Sequence, residues 1–223
     1  VHEAVPPAGN ILYTDIEIQH RKEGAGDKDR NLRIYETMLN QGEPLEPRHQ
    51  FYYARELYYH ERYEDAVRVF RAFLQEPDGW VENKIDACLH LALCQEHLGH
   101  TEKAVEALLK SFLYDSPRGE ACCELGRMKM KEEKYREAAY WYTQALSSRP
   151  AEQTGAFVRK DCYGFLPAIQ LCVCYDRLGD HRRARHYHLK SQKLKPEHPS
   201  VRQNQTYFEH ILKRPAEGQP SAQ

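Results

Sequence analysis

The 223-residue chain has no apolar run near the ~20 residues that a membrane-spanning helix needs, so no helical span is expected. Its opening stretch does not read as a signal peptide. It lacks an excess of either charge: 32 Lys and Arg face 33 Asp and Glu, a formal net charge of -1. That leaves no electrostatic footprint for nucleic acid or an anionic membrane surface. No Ser-His-Asp order, phosphate-binding loop or dinucleotide glycine fingerprint occurs. The seven cysteines contain no Cys-x2-Cys pair, which disfavours a structural zinc site. Cys88, Cys94, Cys122, Cys123, Cys172 and Cys174 fall instead at small apolar positions of helical patterns. They read as buried free thiols, which implies a reducing compartment and a cytoplasmic location.

What is present is a recurring pair of helical patterns. The second member reads YEDAVRVFRAFL, TEKAVEALLKSFL, YREAAYWYTQAL and HRRARHYHLKSQKL, with alanine at 66, 104, 138 and 184. The first member reads FYYARELYY, CLHLALCQEHLG, CCELGRMKM and AIQLCVCYDRLG. Aligned on those alanines, each first member carries a small residue, Ala54, Ala92, Gly126 and Cys172, where two helices must approach closely. Ala104 and Ala138 stand at the ~34-residue spacing of one particular array, and the pattern resembles the tetratricopeptide repeat. The resemblance implies an all-α superhelix of stacked pairs. Fifteen tyrosines against seven phenylalanines suit such a thin fold, because a tyrosine ring packs while its hydroxyl stays wet.

Taken in order, residues 1–26 do not match this pattern. ILYTDIEIQHR alternates apolar and polar with period two and reads as a strand. One strand has no stable existence alone, so it is expected to be the remnant of a preceding domain, with EGAGDKD as linker. The chain opens on Val rather than Met, which reads as a fragment of something longer. Residues 27–46 form a connecting helix, and residues 47–198 hold four repeats with an insertion at 151–162. Residues 199–214 form a capping helix with Val201, Tyr207, Phe208, Ile211 and Leu212 apolar, and 215–223 a disordered tail. Gly99 supplies the left-handed turn of repeat two, while in KEEKY of repeat three Tyr135 is expected to take over that role. The fold class is thus an all-α repeat superhelix with a short N-terminal β segment.

First helices line the concave face of such a stack. The expected partner-binding groove comprises Arg48, Tyr52, Arg55 and Tyr59, then His90 and His97, then Arg127 and Lys131, and finally Arg177. The groove would be mildly basic and tyrosine-rich, suited to a protein or peptide; a merely solvated face is the plainer reading of the same residues. His181, His186 and His188 share a helix with Arg182, Arg183 and Arg185 and read as a solvated basic face. Near the N-terminus, Glu3 beside His2 is a general-base pattern, and His20 at a strand end suits a divalent metal.

The order VHE, DIEIQHR, DRNLRIYETML and FYYARELY, followed by four repeats, resembles the C-terminal region of bacterial family 2 glycosyltransferases with tetratricopeptide extensions. That resemblance implies a parent transferase with a GT-A sheet, a nucleotide-sugar donor and a divalent cation, Mn or Mg. Glu3 would sit near the acceptor and His20 near the metal-diphosphate, and the repeats would bind the acceptor protein. No DxD carboxylate motif or nucleotide loop is present in these residues, so no cofactor is expected for the chain itself. The alternatives are a stand-alone adaptor and a purely structural or oligomerising array.

Overall fold

The computed structural model describes residues 27–213 together with Gly9, Asn10 and Leu12. Among these residues ten α-helices follow one another: α1 (Arg30–Asn40), α2 (Pro47–Tyr59), α3 (Tyr63–Phe73), α4 (Val81–His97), α5 (Thr101–Lys110), α6 (Gly119–Lys131), α7 (Tyr135–Ser147), α8 (Phe165–Arg177), α9 (His181–Leu194) and α10 (Pro199–Lys213). Helices α2 to α9 form four antiparallel pairs, each packed on the next. The fold class is corrected in one respect: among the described residues the chain is all-α, with no strand. The alternating stretch read as a β remnant lies, apart from Leu12, outside the described residues. Period-two patterning over so short a run is weak evidence without a partner strand.

Each second helix shows why it folds and docks as it does. In α3 the buried positions are Ala66, Val67, Phe70 and Phe73, one stripe at helical spacing. Glu64 and Asp65 occupy its first turn and Arg71 its last, each favourable to the helix dipole. The repeat alanines are all interior: Ala66, Ala138 and Ala184 at 0% exposure and Ala104 at 1%. Their first-helix counterparts are equally tight. A β-carbon added at Gly126 would lie 2.9 Å from the Tyr142 ring, so only glycine lets α6 and α7 come this close.

The turns within each pair need one left-handed residue. Gly99 and Gly179 provide it in pairs two and four, at φ of 77° and 76°. In pairs one and three the same corner is made by Glu61 and Glu133, at φ of 58° and 57°. Tyr135 therefore does not replace the glycine; Glu133 itself takes the strained backbone, at a cost of about 1 kcal/mol.

The core is handed along the stack instead of closing on itself. One apolar cluster runs from Leu32 and Tyr35 of α1 through α2–α5 to Ala121, Leu125 and Met128 on α6. From α6 the next residues, Cys122 and Cys123, face a second cluster with Ala138, Tyr142, Leu171 and Cys174. Smaller clusters seat Val201 on Phe165 and Ile169, and Phe208 on Cys172 and Ala184. So α1 covers one end and α10 the other, as an array of thin pairs requires. All seven cysteines are free and buried, and burial pushes the thiols of Cys88, Cys94, Cys172 and Cys174 up to about 12. All seven are core residues, and the four raised thiols are poor nucleophiles and poor metal ligands.

One histidine departs from the solvated reading. His188 is 1% exposed, its Nε2 2.9 Å from Gln205 Oε1 and its ring against Phe208. His181 does stay at the surface, 3.0 Å from Asp176. None of the described helices is long and apolar enough to cross a membrane.

Candidate functional site

Helices α2, α4, α6 and α8 present one continuous inner face, and the expected groove residues divide on it into three groups. On α2 they come together. The Arg55 guanidinium lies 5.6 Å from the ring of Tyr59 and 5.9 Å from that of Tyr52, and Nη2 donates to the Tyr59 hydroxyl at 2.8 Å. One turn earlier Arg48 lies 5.6 Å from the Tyr52 ring. The i, i+3 and i+4 spacing of 48, 52, 55 and 59 makes this ladder, since such positions share a helix face. Beside it opens a recess of about 340 Å³ lined by Arg48, Tyr52, Asp78, Trp80 and Asn83.

On α4 the histidines serve packing. His90 meets Tyr58 edge-on at 5.2 Å and stacks on Phe70 at 5.9 Å, with Nδ1 3.0 Å from the Asp86 carbonyl. His97 lies flat on Tyr63 of α3, ring centroids 4.3 Å apart. Both rings brace α4 against the preceding pair, His90 partly buried and His97 exposed at the end of the helix.

On α6 the expected basic character is cancelled. Arg127 forks onto both carboxylate oxygens of Glu96 and sends Nε to Glu124 at 2.6 Å; Lys131 reaches Glu96 at 2.5 Å. The Arg127 hydrogen bond, aided by Lys131, holds the Glu96 carboxyl down at about 2. A depressed carboxyl stabilises the fold fully above its unfolded range near 4.5 and loses that contribution as pH falls toward 2. Replacing Glu96 with Gln is expected to cost about 1 kcal/mol at pH 7, limited by partial exposure of the pair. Urea titrations at pH 7 and pH 3 check this, because the gap between wild type and variant must narrow at the lower pH. Arg177 stands apart, exposed at the end of α8.

What sequence reading missed is the course of the insertion. Two short 3-10 turns, Glu152–Thr154 and Lys160–Tyr163, carry it back over the inner face. The Phe157 ring sits 4.4 Å from the Arg55 guanidinium, the nearest of the four rings around that group. The Arg159 backbone N–H donates to Glu120 Oε1 at 2.7 Å, and the Tyr163 hydroxyl to Glu120 Oε2 at 2.5 Å. Arg159 Nη2 lies 3.7 Å from Glu124. Gly155, at φ 78°, turns beside Trp80, where a β-carbon would come within 3.3 Å of the indole. Gly119 gives the segment room on α6, since its β-carbon would lie 2.9 Å from the Cys162 carbonyl. The space left between insertion, α4 and α6 is about 30 Å³, room for little beyond a water. The signal available in advance was GAFVRK, an aromatic and two cations inside a Gly-containing loop.

Residues 85–116 and 119–152 match the model of the tetratricopeptide repeat. No curated protein sequence matches the chain. Among solved structures it is similar to MamA (TM-score 0.54, 20% identity, 72% of this chain and 85% of that one). It is also similar to PilW, a type IV pilus biogenesis factor (0.58, 17%, 80% and 81%), and to PilF of Pseudomonas aeruginosa (0.52, 17%, 81% and 82%). At such identities the likeness concerns the fold, an all-α array of stacked helix pairs in which residues 85–116 and 119–152 carry the tetratricopeptide repeat. The similarity found is to the repeat array, and no comparison supports the transferase that the resemblance implied. The VHE and IEIQH motifs were too short to carry it, and Glu3 and His20 lie outside the described residues.

Proposed function

We propose that the chain is a non-catalytic adaptor that binds an extended segment of a partner protein along its inner face, chiefly at the α2 ladder. The supporting observation is the arrangement of Arg48, Tyr52, Arg55 and Tyr59 beside the recess at Trp80. A guanidinium held among aromatic rings is a preformed surface for another planar side chain, and the recess takes what flanks it. The carboxylates Glu120 and Glu124 lie farther along the same face, where an extended backbone and a basic side chain find acceptors. Four stacked pairs hold these groups on rigid helices, which lowers the ordering cost of binding.

Panning a random-peptide phage library against the domain tests this reading. Selected peptides are expected to lose about tenfold or more in affinity on Arg55→Ala or Tyr52→Ala, the scale of a ring contact at a desolvated site. They are expected to ignore Tyr140→Ala, an exposed position on the second helix α7. Peptides that respond to Tyr140 and not to Arg55 or Tyr52 contradict the proposal. A purely structural array has no such observation in its favour.

A further inference from the structure

The inner face is already occupied, and its occupant is part of the chain. Residues 151–163 leave α7, cross from α6 over α4 to α2, and return to start α8. The contacts they make are those of a bound peptide rather than of a buried core. Phe157 remains 50% exposed, with one side on Arg55. The Arg55 Nε beneath it is buried with no hydrogen-bond partner, a donor that the resident ring covers without satisfying. Recognition of the segment is spread over one main-chain donor at Arg159, one aromatic ring and one cation, with an αL glycine steering the entry. The ion pair of Arg159 with Glu124 is long, and Lys160 pairs with Glu152 inside the loop itself. Only the last turn is tied down firmly, through buried Cys162, the Tyr163–Glu120 bond and the Lys195–Asp161 pair at 2.6 Å. The segment from Glu152 to Lys160 is therefore a strap held by fewer contacts than the anchor that follows it.

We infer that this segment is a resident pseudo-ligand: the groove takes an extended peptide with an aromatic residue two places before a basic one, and such a peptide displaces residues 152–160. The inference rests on the inner face being the binding surface, as proposed above, and adds the ligand's pattern and its competitor. Phe157-Val158-Arg159 is the internal copy of the pattern, with the ring on Arg55 and the main chain on Glu120. An occupant on a short tether acts at high effective concentration, so it lowers the apparent affinity of any external ligand by the fraction of time it holds the site.

The test uses the full chain and a labelled synthetic peptide of residues 152–160, EQTGAFVRK, followed by fluorescence anisotropy. Three forms are compared: wild type, a form with 152–160 replaced by Gly-Ser of equal length, and the double substitution Phe157→Ala with Arg159→Ala. The third form keeps the loop and its anchor, so it carries the test even where the replacement form does not fold. The peptide is expected to bind both altered forms at least about tenfold more tightly than wild type. A peptide carrying alanine for its phenylalanine is expected to lose that binding, as is any form with Arg55→Ala. Equal affinity for wild type and the double variant overturns the inference, because the strap then competes with nothing. Absence of binding to the double variant also overturns it. Both negative results leave the adaptor reading to the phage experiment, whose peptides answer to Arg55 and Tyr52 independently of residues 152–160.

Discussion

Arg118→Ala is expected to destabilise the domain by about 3–5 kcal/mol, the scale of breaking a buried ion pair from one side. Arg118 sits at the N-terminal edge of α6 at 8% exposure, and Glu82 on α4 at 7%. Its Nη2 donates to Glu82 Oε1 at 3.1 Å and to Asp115 at 2.6 Å. Truncation leaves the Glu82 carboxylate buried without its cation, and the penalty for that exceeds the worth of the pair itself. The position matters because it spans the seam between pairs two and three, where α4 meets α6. Removing both partners at once, Arg118→Met with Glu82→Leu, is expected to recover most of the loss, since no unpaired charge remains. Urea unfolding midpoints of Arg118→Ala, of Glu82→Leu alone and of the double variant check this. Single-variant losses below about 1 kcal/mol would show that the pair is solvated.

Phe208→Asp is expected to detach α10 and cost about 3 kcal/mol or more, read at the C-terminal end of the array only. Phe208 is 5% exposed, packed on Cys172 and Ala184 and 5.3 Å from the His188 ring. A carboxylate there is desolvated among apolar atoms. In a linear array each pair answers mainly to its neighbours, so the damage stays local. Hydrogen exchange is the measurement: amides of α10, α8 and α9 should lose protection while α2 to α5 keep theirs. Tyr207→Ala is the contrast. Its ring is 41% exposed and its hydroxyl donates to Asp176 at 2.8 Å, so its loss is expected to stay near about 1 kcal/mol. Uniform loss of protection along the whole chain would indicate one closed bundle.

The array was legible because its signal is steric and repeats. An alanine at 66, 104, 138 and 184, each facing a small residue on the helix before it, fits closely packed helix pairs and hardly anything else. The turns were half legible: glycine at 99 and 179 announces a left-handed corner, but Glu61 and Glu133 adopt the same backbone with no mark in the sequence. The α2 ladder could be read because its partners lie on one helix at fixed steps. The α6 cations could not, since their charge is cancelled by Glu96 on another helix. The contact of His97 with Tyr63 of the preceding pair is likewise one between helices that a single helix does not announce. The insertion was hardest. Its spacing shows that residues are added after α7, and nothing local says that Phe157 travels to Arg55, a contact between distant parts of the chain. At the N-terminus a short alternating run and two brief motifs suggested more than they could support.

Both the groove and its strap depend on residues 151–163 lying on the inner face, and nuclear Overhauser spectroscopy of the full chain reads that directly. Cross-peaks are predicted from the Phe157 ring to the Arg55 side chain, and from Gly155 to the Trp80 indole. Their absence, with amides 152–160 exchanging at the rates of free peptide, would put the insertion in solvent and contradict a groove that carries its own occupant.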